Sequence, residues 1–354
     1  MGCQKKLRIV LGILKDKASL IKTTLSTKRH KSSVRRVILR ATTHGPYALP
    51  SDNRIAAVIA LGHGSRATAC ACIQALMDRL HRTSNAYVAL KCLYTIHNII
   101  GRGSFILKDQ LSVYPCSGGR NFLNLSMFRD YSDPEMWEMS SWVRWYAGVL
   151  ELNLMISGVI GYHLYSSSAK NDRNKKDKLM ALWNSDLLNE LDVLVDFAEH
   201  VGNAPHSLYL QRKSLVYEVV RSVSENYRLV QHEISLRVAE LGLRMMSLSF
   251  GECTRFLNSF NRFEDCKDRI SVLLVNRNRN DDLRDLVQET KAKLVEIMEE
   301  KKEWKMLSIT MGDGDGSSNL TLLAPRGRCN GFESINHFLQ RFCKSGCLQV
   351  QWAS

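Results

Sequence analysis

The amino-acid sequence predicts an all-α protein in which short stacked helices are followed by several long ones. Apolar residues recur at steps of three and four residues along the chain, as on one face of a helix. No segment shows a convincing alternation of apolar and polar residues, which is typical of a β-strand. Short breaks separate the helical segments before residue 165, whereas the segments after residue 178 are long.

Capping residues, glycines and prolines bound the predicted helices of the N-terminal half. Ser51 is placed to cap one helix, and Gly45 with Pro46 ends the helix before it. The helices are predicted over Leu7–Leu25, Val34–Thr43, Arg54–Leu61, Ala67–His81, Asn85–Ile100, Ser104–Leu111 and Trp137–Leu164. Because most of them are apolar on more than one face, we expect them to stack into a superhelix.

The composition divides the chain into four parts. Residues 1–165 form the predicted superhelix, and the polar, charged residues 166–178 are predicted to be a linker loop. Residues 179–307 contain the long helices, predicted over Leu179–Val201, His206–Leu241, Met245–Phe263 and Asp281–Leu307. The glycine-rich sequence that follows predicts a short flexible tail over 308–354.

Positive charge is concentrated at the start of the chain. Residues 1–66 contain fourteen lysines and arginines against only Asp16 and Asp52, so they carry +12 of the formal charge of +14. Such one-sided clustering produces a local field that attracts a polyanion, either a lipid headgroup or a nucleic acid. The apolar stripe from Leu7 to Leu25 lies within this region, and it suits either a membrane interface or a protein core.

Other functional classes have little support in the sequence. The apolar segment Trp142–Tyr165 contains Arg144 and Glu151, so we predict a buried helix rather than a membrane span. The ten cysteines lack the spacing of a disulfide framework or a zinc site, which favours free thiols in the cytosol. His97 is expected to be a core histidine with local partners. No arrangement of residues suggests a catalytic, metal or cofactor site, so we predict a protein that is not an enzyme.

Several ordered segments resemble a known family. Arg40-Ala41-Thr42-Thr43-His44 is similar to the Lys-Ala-Thr-Thr-His opening of the phosphoinositide motif in ANTH-domain clathrin-assembly proteins, members of the ENTH/ANTH/VHS superfamily. Further similar segments are Ala86–Leu93, Ile96–Asn98, Gly103–Ile106 and Gly119–Asp130. The resemblance extends over about residues 5–305 and is strongest to the short plant-type members.

The resemblance implies both a fold and a set of partners. The implied fold is a right-handed α-superhelix followed by long helices. The implied function is recruitment to phosphatidylinositol 4,5-bisphosphate membranes, binding of clathrin and adaptor proteins, and sorting of a vesicle SNARE. We therefore expect a cytosolic protein that associates peripherally with clathrin-coated pits and vesicles, or with the Golgi apparatus.

The headgroup motif of the family is only partly present here. In the family, a proline followed by a Lys-x-Lys-His cluster completes the lipid site, whereas Pro50 is followed by Ser51-Asp52-Asn53-Arg54. The resemblance thus assigns headgroup binding to Arg40, His44 and Arg54, with Arg36 beside them. A diffuse basic patch that could compensate for the lost lysines consists of Lys28, Arg29, Lys31 and Arg35.

Two alternative functions stay open at this point. The same charge could serve a helical-repeat protein that binds nucleic acid, although Tyr47 is the only aromatic residue in the basic region that could stack on bases. For that reason we do not expect nucleic acid as a partner. A degenerate ANTH scaffold without lipid specificity is the second alternative. The tail lacks the clathrin-binding motifs of longer members. The sequence therefore supports membrane docking more strongly than a direct contact with clathrin.

Overall fold

A computed structural model describes residues 2–24, 29–45, 48–112, 123–165, 169–273 and 281–310. Within these ranges the chain forms helices and no β-strands, which confirms the predicted all-α class. The N-terminal helices are α1 (Gly2–Thr24), α2 (Arg29–Ala41), α3 (Asp52–Ala60), α4 (Arg66–Arg82), α5 (Ala86–Arg102), α6 (Phe105–Ser112) and α7 (Pro134–Ile160). The later helices are α8 (Ala169–Ala181), α9 (Asn184–Gly202), α10 (Leu208–Gln211), α11 (Ser214–Leu243), α12 (Phe250–Leu273) and α13 (Asp281–Thr310). Short 3-10 turns follow α3 and α11, at Leu61–His63 and Met245–Ser247.

Local sequence explains where several helices begin and end. The side chains of Ser65 and Asn85 accept hydrogen bonds from backbone amides at the first turns of α4 and α5. Asp133 does the same for α7, and Gly161 ends that helix with a left-handed φ of 74°. Ser51 occupies the predicted N-cap position of α3, but its side chain makes no capping hydrogen bond.

The helices pack in succession along the chain. Helix α2 contacts α1, α3 and α4, and α5 packs on α7, which in turn packs on α9. Helices α9, α11, α12 and α13 then form the C-terminal bundle. A continuous apolar core runs through both parts, so each helix is held by the neighbours that bury its apolar faces.

Helix α5 is the most enclosed element of the fold. It contacts α2, α3, α4, α6, α7 and α11, and most of its residues are buried, including Lys91 and His97. His97 forms hydrogen bonds with Tyr146 Oη at 2.7 Å, Tyr165 Oη at 2.9 Å and Asn226 Oδ1 at 3.3 Å. The predicted core position of His97 is confirmed. Its predicted local partners are wrong, because the bonds link α5 to α7, to the segment after α7 and to α11.

The predicted linker loop is wrong for residues 169–178, which belong to α8. Polar composition suggested solvent exposure, yet the Lys175 Nζ lies 3.0 Å from Glu233 Oε1 on α11, with both side chains buried. Arg237 adds bonds to Glu233 and to Glu190 on α9, so a buried network of charges holds α8. The division of the chain into the predicted domains remains a prediction, and residues 166–168 and 311–354 lie outside the described ranges.

No described helix has the length and apolar content that crossing a membrane requires. The apolar segment Trp142–Tyr165 lies largely in α7, and its tryptophans and most of its aliphatic side chains are buried in the core. This agrees with the expectation of a buried helix.

His97 makes the stability of the protein depend on pH. Burial lowers the pKa of His97 from its ordinary value of 6.5 to about 4. Between these values the unfolded chain binds a proton that the folded chain does not, so the free energy of unfolding falls as the pH falls. The difference between the two pKa values contributes about 3 kcal/mol to the free energy of unfolding at a pH above both of them.

We expect His97→Gln to reduce the difference in unfolding free energy between pH 7 and pH 5, measured by urea denaturation. The exposed His206 provides the matched control, because His206→Gln should leave that difference unchanged. An equal effect of the two substitutions would contradict the role assigned to His97.

Candidate functional site

The basic residues of α2 lie on two different faces of the helix. Successive residues of an α-helix are turned by about 100°, so residues four apart share a face. Lys31 and Arg35 therefore share one face, and Arg36 and Arg40 share the next. This division follows the two predicted sets, since Arg36 and Arg40 were assigned to headgroup binding and Lys31 and Arg35 to the diffuse patch.

Lys31 and Arg35 line a groove between α1, α2 and α4, which we call the basic groove. Its volume is about 860 Å³, and its cationic lining comprises Lys15, Lys31, Arg35, Arg79 and Arg82, with His44 at its floor. Asp78 and Asp130 also line it. In the described part of the chain, Lys15, Lys31, Arg35 and Arg82 form no ion pair, so their ammonium and guanidinium groups can receive an anion.

Asp16 organises the floor of the basic groove. Its carboxylate accepts hydrogen bonds from the backbone N–H of His44 at 2.7 Å and from Arg79 Nη2 at 3.1 Å. The His44 Nδ1 lies 2.7 Å from Asp16 Oδ1. Burial would raise the pKa of Asp16, but the bonds from His44 and the charge of Arg79 outweigh it and lower the pKa below 3.8. Asp16 thus joins α1 to α4 and to the end of α2.

Lys91 supports the same segment from inside the protein. Its side chain is 1% exposed, and its Nζ donates to the carbonyl oxygens of Thr43 at 3.0 Å and Gly45 at 2.6 Å. Burial lowers the pKa of Lys91 to about 8, and the positive charge of Arg54 contributes to the decrease. Lys91 therefore fixes the backbone beside His44, close to Arg54.

Of the predicted headgroup residues, His44 lines the basic groove and Arg36, Arg40 and Arg54 do not. Arg40 and Arg54 are exposed, near the end of α2 and the start of α3, and neither lines the basic groove. Arg36 is half-buried, and its Nε is buried without a hydrogen-bond partner. His44 does line the groove, but its Nδ1 is occupied by Asp16.

Two residues of the predicted diffuse patch have side chains that the structure describes. Lys31 and Arg35 belong to the basic groove, as described above. Lys28 lies outside the described residues, and Arg29 begins α2 with a side chain that is not described.

Sequence reasoning missed several residues of the groove. No sequence motif points to Lys15, Asp16, Arg79 or Arg82, although all but Asp16 line the groove and Asp16 forms bonds at its floor. Lys91 belongs to the segment that resembles the family, but burial of its charge against backbone carbonyls was not expected. These residues come from separate helices, so no spacing in the sequence could have grouped them.

Helix α1 presents apolar side chains to solvent beside the groove. Leu14 is 53% exposed and Ile21 is 58% exposed. Leu7, Val10, Leu11 and Ile13 are exposed as well. Of the two uses that the sequence left open for this stripe, the observed exposure favours an interfacial surface over a core-covering one.

Comparison with known proteins agrees with this architecture. The family model for the ANTH domain matches residues 33–274. The chain belongs to the ANTH domain family. It is 42% identical over 268 residues to "Putative clathrin assembly protein At4g40080" of Arabidopsis thaliana. The aligned region covers 75% of this chain and 73% of that protein.

Other Arabidopsis thaliana proteins with the same designation are more distant. The match to At5g10410 is 28% identical over 274 residues and covers 75% of this chain and 78% of that protein. The match to At5g65370 is 24% identical over 284 residues and covers 75% of this chain and 92% of that protein.

The role of Asp16 can be tested by Asp16→Asn. This change leaves the half-buried guanidinium of Arg79 without its charged partner and removes the charge of the buried Asp16. We therefore expect the free energy of unfolding to fall by about 2 kcal/mol in urea denaturation. Asp109→Asn is the matched control, because Asp109 pairs with the exposed Arg66 at 3.1 Å. The control should cost less than about 1 kcal/mol. Equal losses from the two changes would show that Asp16 does not organise the groove.

Proposed function

We propose that this protein is a peripheral adaptor that docks on phosphoinositide membranes during the formation of clathrin-coated vesicles. The observation that carries the proposal is the basic groove, next to the exposed apolar side chains of α1. Among the described residues, its cations Lys15, Lys31, Arg35 and Arg82 have no ion-pair partner. A headgroup with several phosphates requires converging charge-assisted donors, and the groove supplies them from rigid helices.

Two parts of the surface contribute to docking in this proposal. The phosphates bind the basic groove through Lys31, Arg35, Lys15 and Arg82, and the exposed side chains of α1 enter the lipid interface. The motif residues Arg36, Arg40 and Arg54 add attraction to the anionic surface. His44 has a different role, because its bond to Asp16 shapes the groove floor.

Clathrin, adaptor proteins and a vesicle SNARE complete the proposed partners. Membership of the ANTH domain family and the names of the Arabidopsis relatives as clathrin assembly proteins support the clathrin part of this proposal. The proposed location is therefore the cytosolic face of coated pits and vesicles, with the Golgi as a second compartment. Binding of the purified chain to the clathrin terminal domain, measured by pull-down, would test the direct contact.

Liposome flotation tests which basic surface carries the docking. Each cation near an anionic membrane contributes about 1 kcal/mol, so reversing two of them should weaken binding at least about 10-fold. We expect Lys31→Glu with Arg35→Glu to have this effect on vesicles that contain phosphatidylinositol 4,5-bisphosphate, and Arg40→Glu with Arg54→Glu to have a smaller one. Arg228→Glu with Lys267→Glu is the matched control, since it changes the charge equally at exposed positions of α11 and α12.

The same assay distinguishes the alternatives. A degenerate scaffold would float equally well with phosphoinositide vesicles and with neutral ones. A nucleic-acid-binding protein would instead bind single-stranded RNA more tightly than the vesicles, with a steep dependence on salt. Either result would overturn the proposal.

A further inference from the structure

We infer that a second surface, formed by Arg129, Tyr131, Trp137 and Arg144, binds an acidic segment of a partner protein that contains an aromatic residue. We call it the aromatic–arginine surface. None of its four residues lines the basic groove, so the inference is independent of the proposed membrane docking. Trp137 and Arg144 lie on one face of α7, and Arg129 and Tyr131 come from the segment before it.

The two arginines are held together without a carboxylate. Arg129 Nη1 donates to the carbonyl oxygen of Phe128 at 2.7 Å, and Arg144 Nη1 donates to the same oxygen at 2.8 Å. Neither guanidinium forms an ion pair within the described ranges of the chain. Burial lowers the pKa of Arg144, and the nearby charge of Arg129 lowers it further. A carboxylate placed between the two would relieve this repulsion and accept bidentate hydrogen bonds.

The aromatic part of the surface is exposed and already ordered. Tyr131 is 77% exposed and Trp137 is 49% exposed, with ring centroids 5.1 Å apart. The Arg129 guanidinium lies over the Trp137 ring, 5.8 Å from its centroid. Tryptophan, tyrosine and arginine are the residue types that dominate binding hot spots, and a prearranged ring loses little entropy on binding. These rings therefore suit an aromatic side chain of the partner.

A neighbouring groove gives the partner segment a path along α7. It has a volume of about 1020 Å³, begins at Ser141 and Arg144 and continues past His200 and Asn203. Apart from Arg144, the charged lining of this groove consists of Glu138, Glu151 and Arg269, so it has no excess of positive charge. Acidic residues of the partner are therefore favoured beside the arginine pair. Charge complementarity thus selects a segment whose acidic residue and aromatic residue are close together, followed by uncharged residues.

Fluorescence anisotropy with defined peptides tests this inference. The probes are fluorescein-labelled peptides of about twelve residues, each with two aspartates and one phenylalanine at varied separation in a Gly-Ser background. Matched peptides replace the aspartates by asparagine or the phenylalanine by alanine. We expect at least one acidic–aromatic peptide to bind the full chain, and both replacements to weaken it at least about 10-fold.

Protein variants locate the binding. Trp137→Ala and Tyr131→Ser remove exposed rings, so the fold should be retained. Each should lower the affinity for the peptide at least about 10-fold. Arg129→Gln should also lower the affinity for the peptide, and the remaining binding should depend less on salt concentration. The matched control is Trp183→Ala, which removes a tryptophan that is 80% exposed at the start of α9. All of these variants should float with phosphoinositide vesicles as the wild type does.

Two results would overturn the inference. One is that no acidic–aromatic peptide binds better than its asparagine or alanine counterpart at concentrations up to about 1 mM, where even weak recognition is detectable. The other is that Trp137→Ala and Tyr131→Ser bind the peptide as tightly as Trp183→Ala.

Discussion

Two buried polar side chains on α5 connect the functional surface to the rest of the fold. Lys91 holds the backbone of Thr43 and Gly45. His97, six residues further along, bonds to Tyr146 on α7 and to Asn226 on α11. A buried charge or ring nitrogen without partners costs several kcal/mol, so only the packing that satisfies both residues is favourable. The enclosed position of α5 thereby fixes how the basic N-terminal helices meet the long C-terminal ones.

Charged groups specify the later part of the chain in a similar way. Lys175, Glu233, Arg237 and Glu190 connect α8, α11 and α9 through buried ion pairs. Such pairs contribute little net stability, because desolvation offsets most of their attraction. Removing one member would nevertheless leave an unpaired buried charge, so the network restricts α8 to one position. A segment of mostly polar sequence therefore becomes an ordered part of the bundle.

The separation of the cations on α2 changes how the docking surface is understood. All four side chains are exposed, but Lys31 and Arg35 line a groove with a fixed floor, whereas Arg40 and Arg54 lie outside it, beside the segment that Lys91 supports. A groove can position phosphates through several donors at once, but an arginine outside a groove mainly adds long-range attraction. Headgroup selectivity in the proposed function therefore depends more on the groove than on the residues of the sequence motif.

The sequence by itself determined the helical class, most helix positions, the concentration of charge before residue 66 and the resemblance to the ANTH family. These properties are local, because periodicity, caps and motifs depend on residues that are close together in the sequence. Only the tertiary structure decided that Asp16 meets Arg79, that His97 has distant partners and that residues 169–178 are helical. Each of these outcomes depends on groups from different helices, and the pairing of distant charges overrides what local polarity predicts.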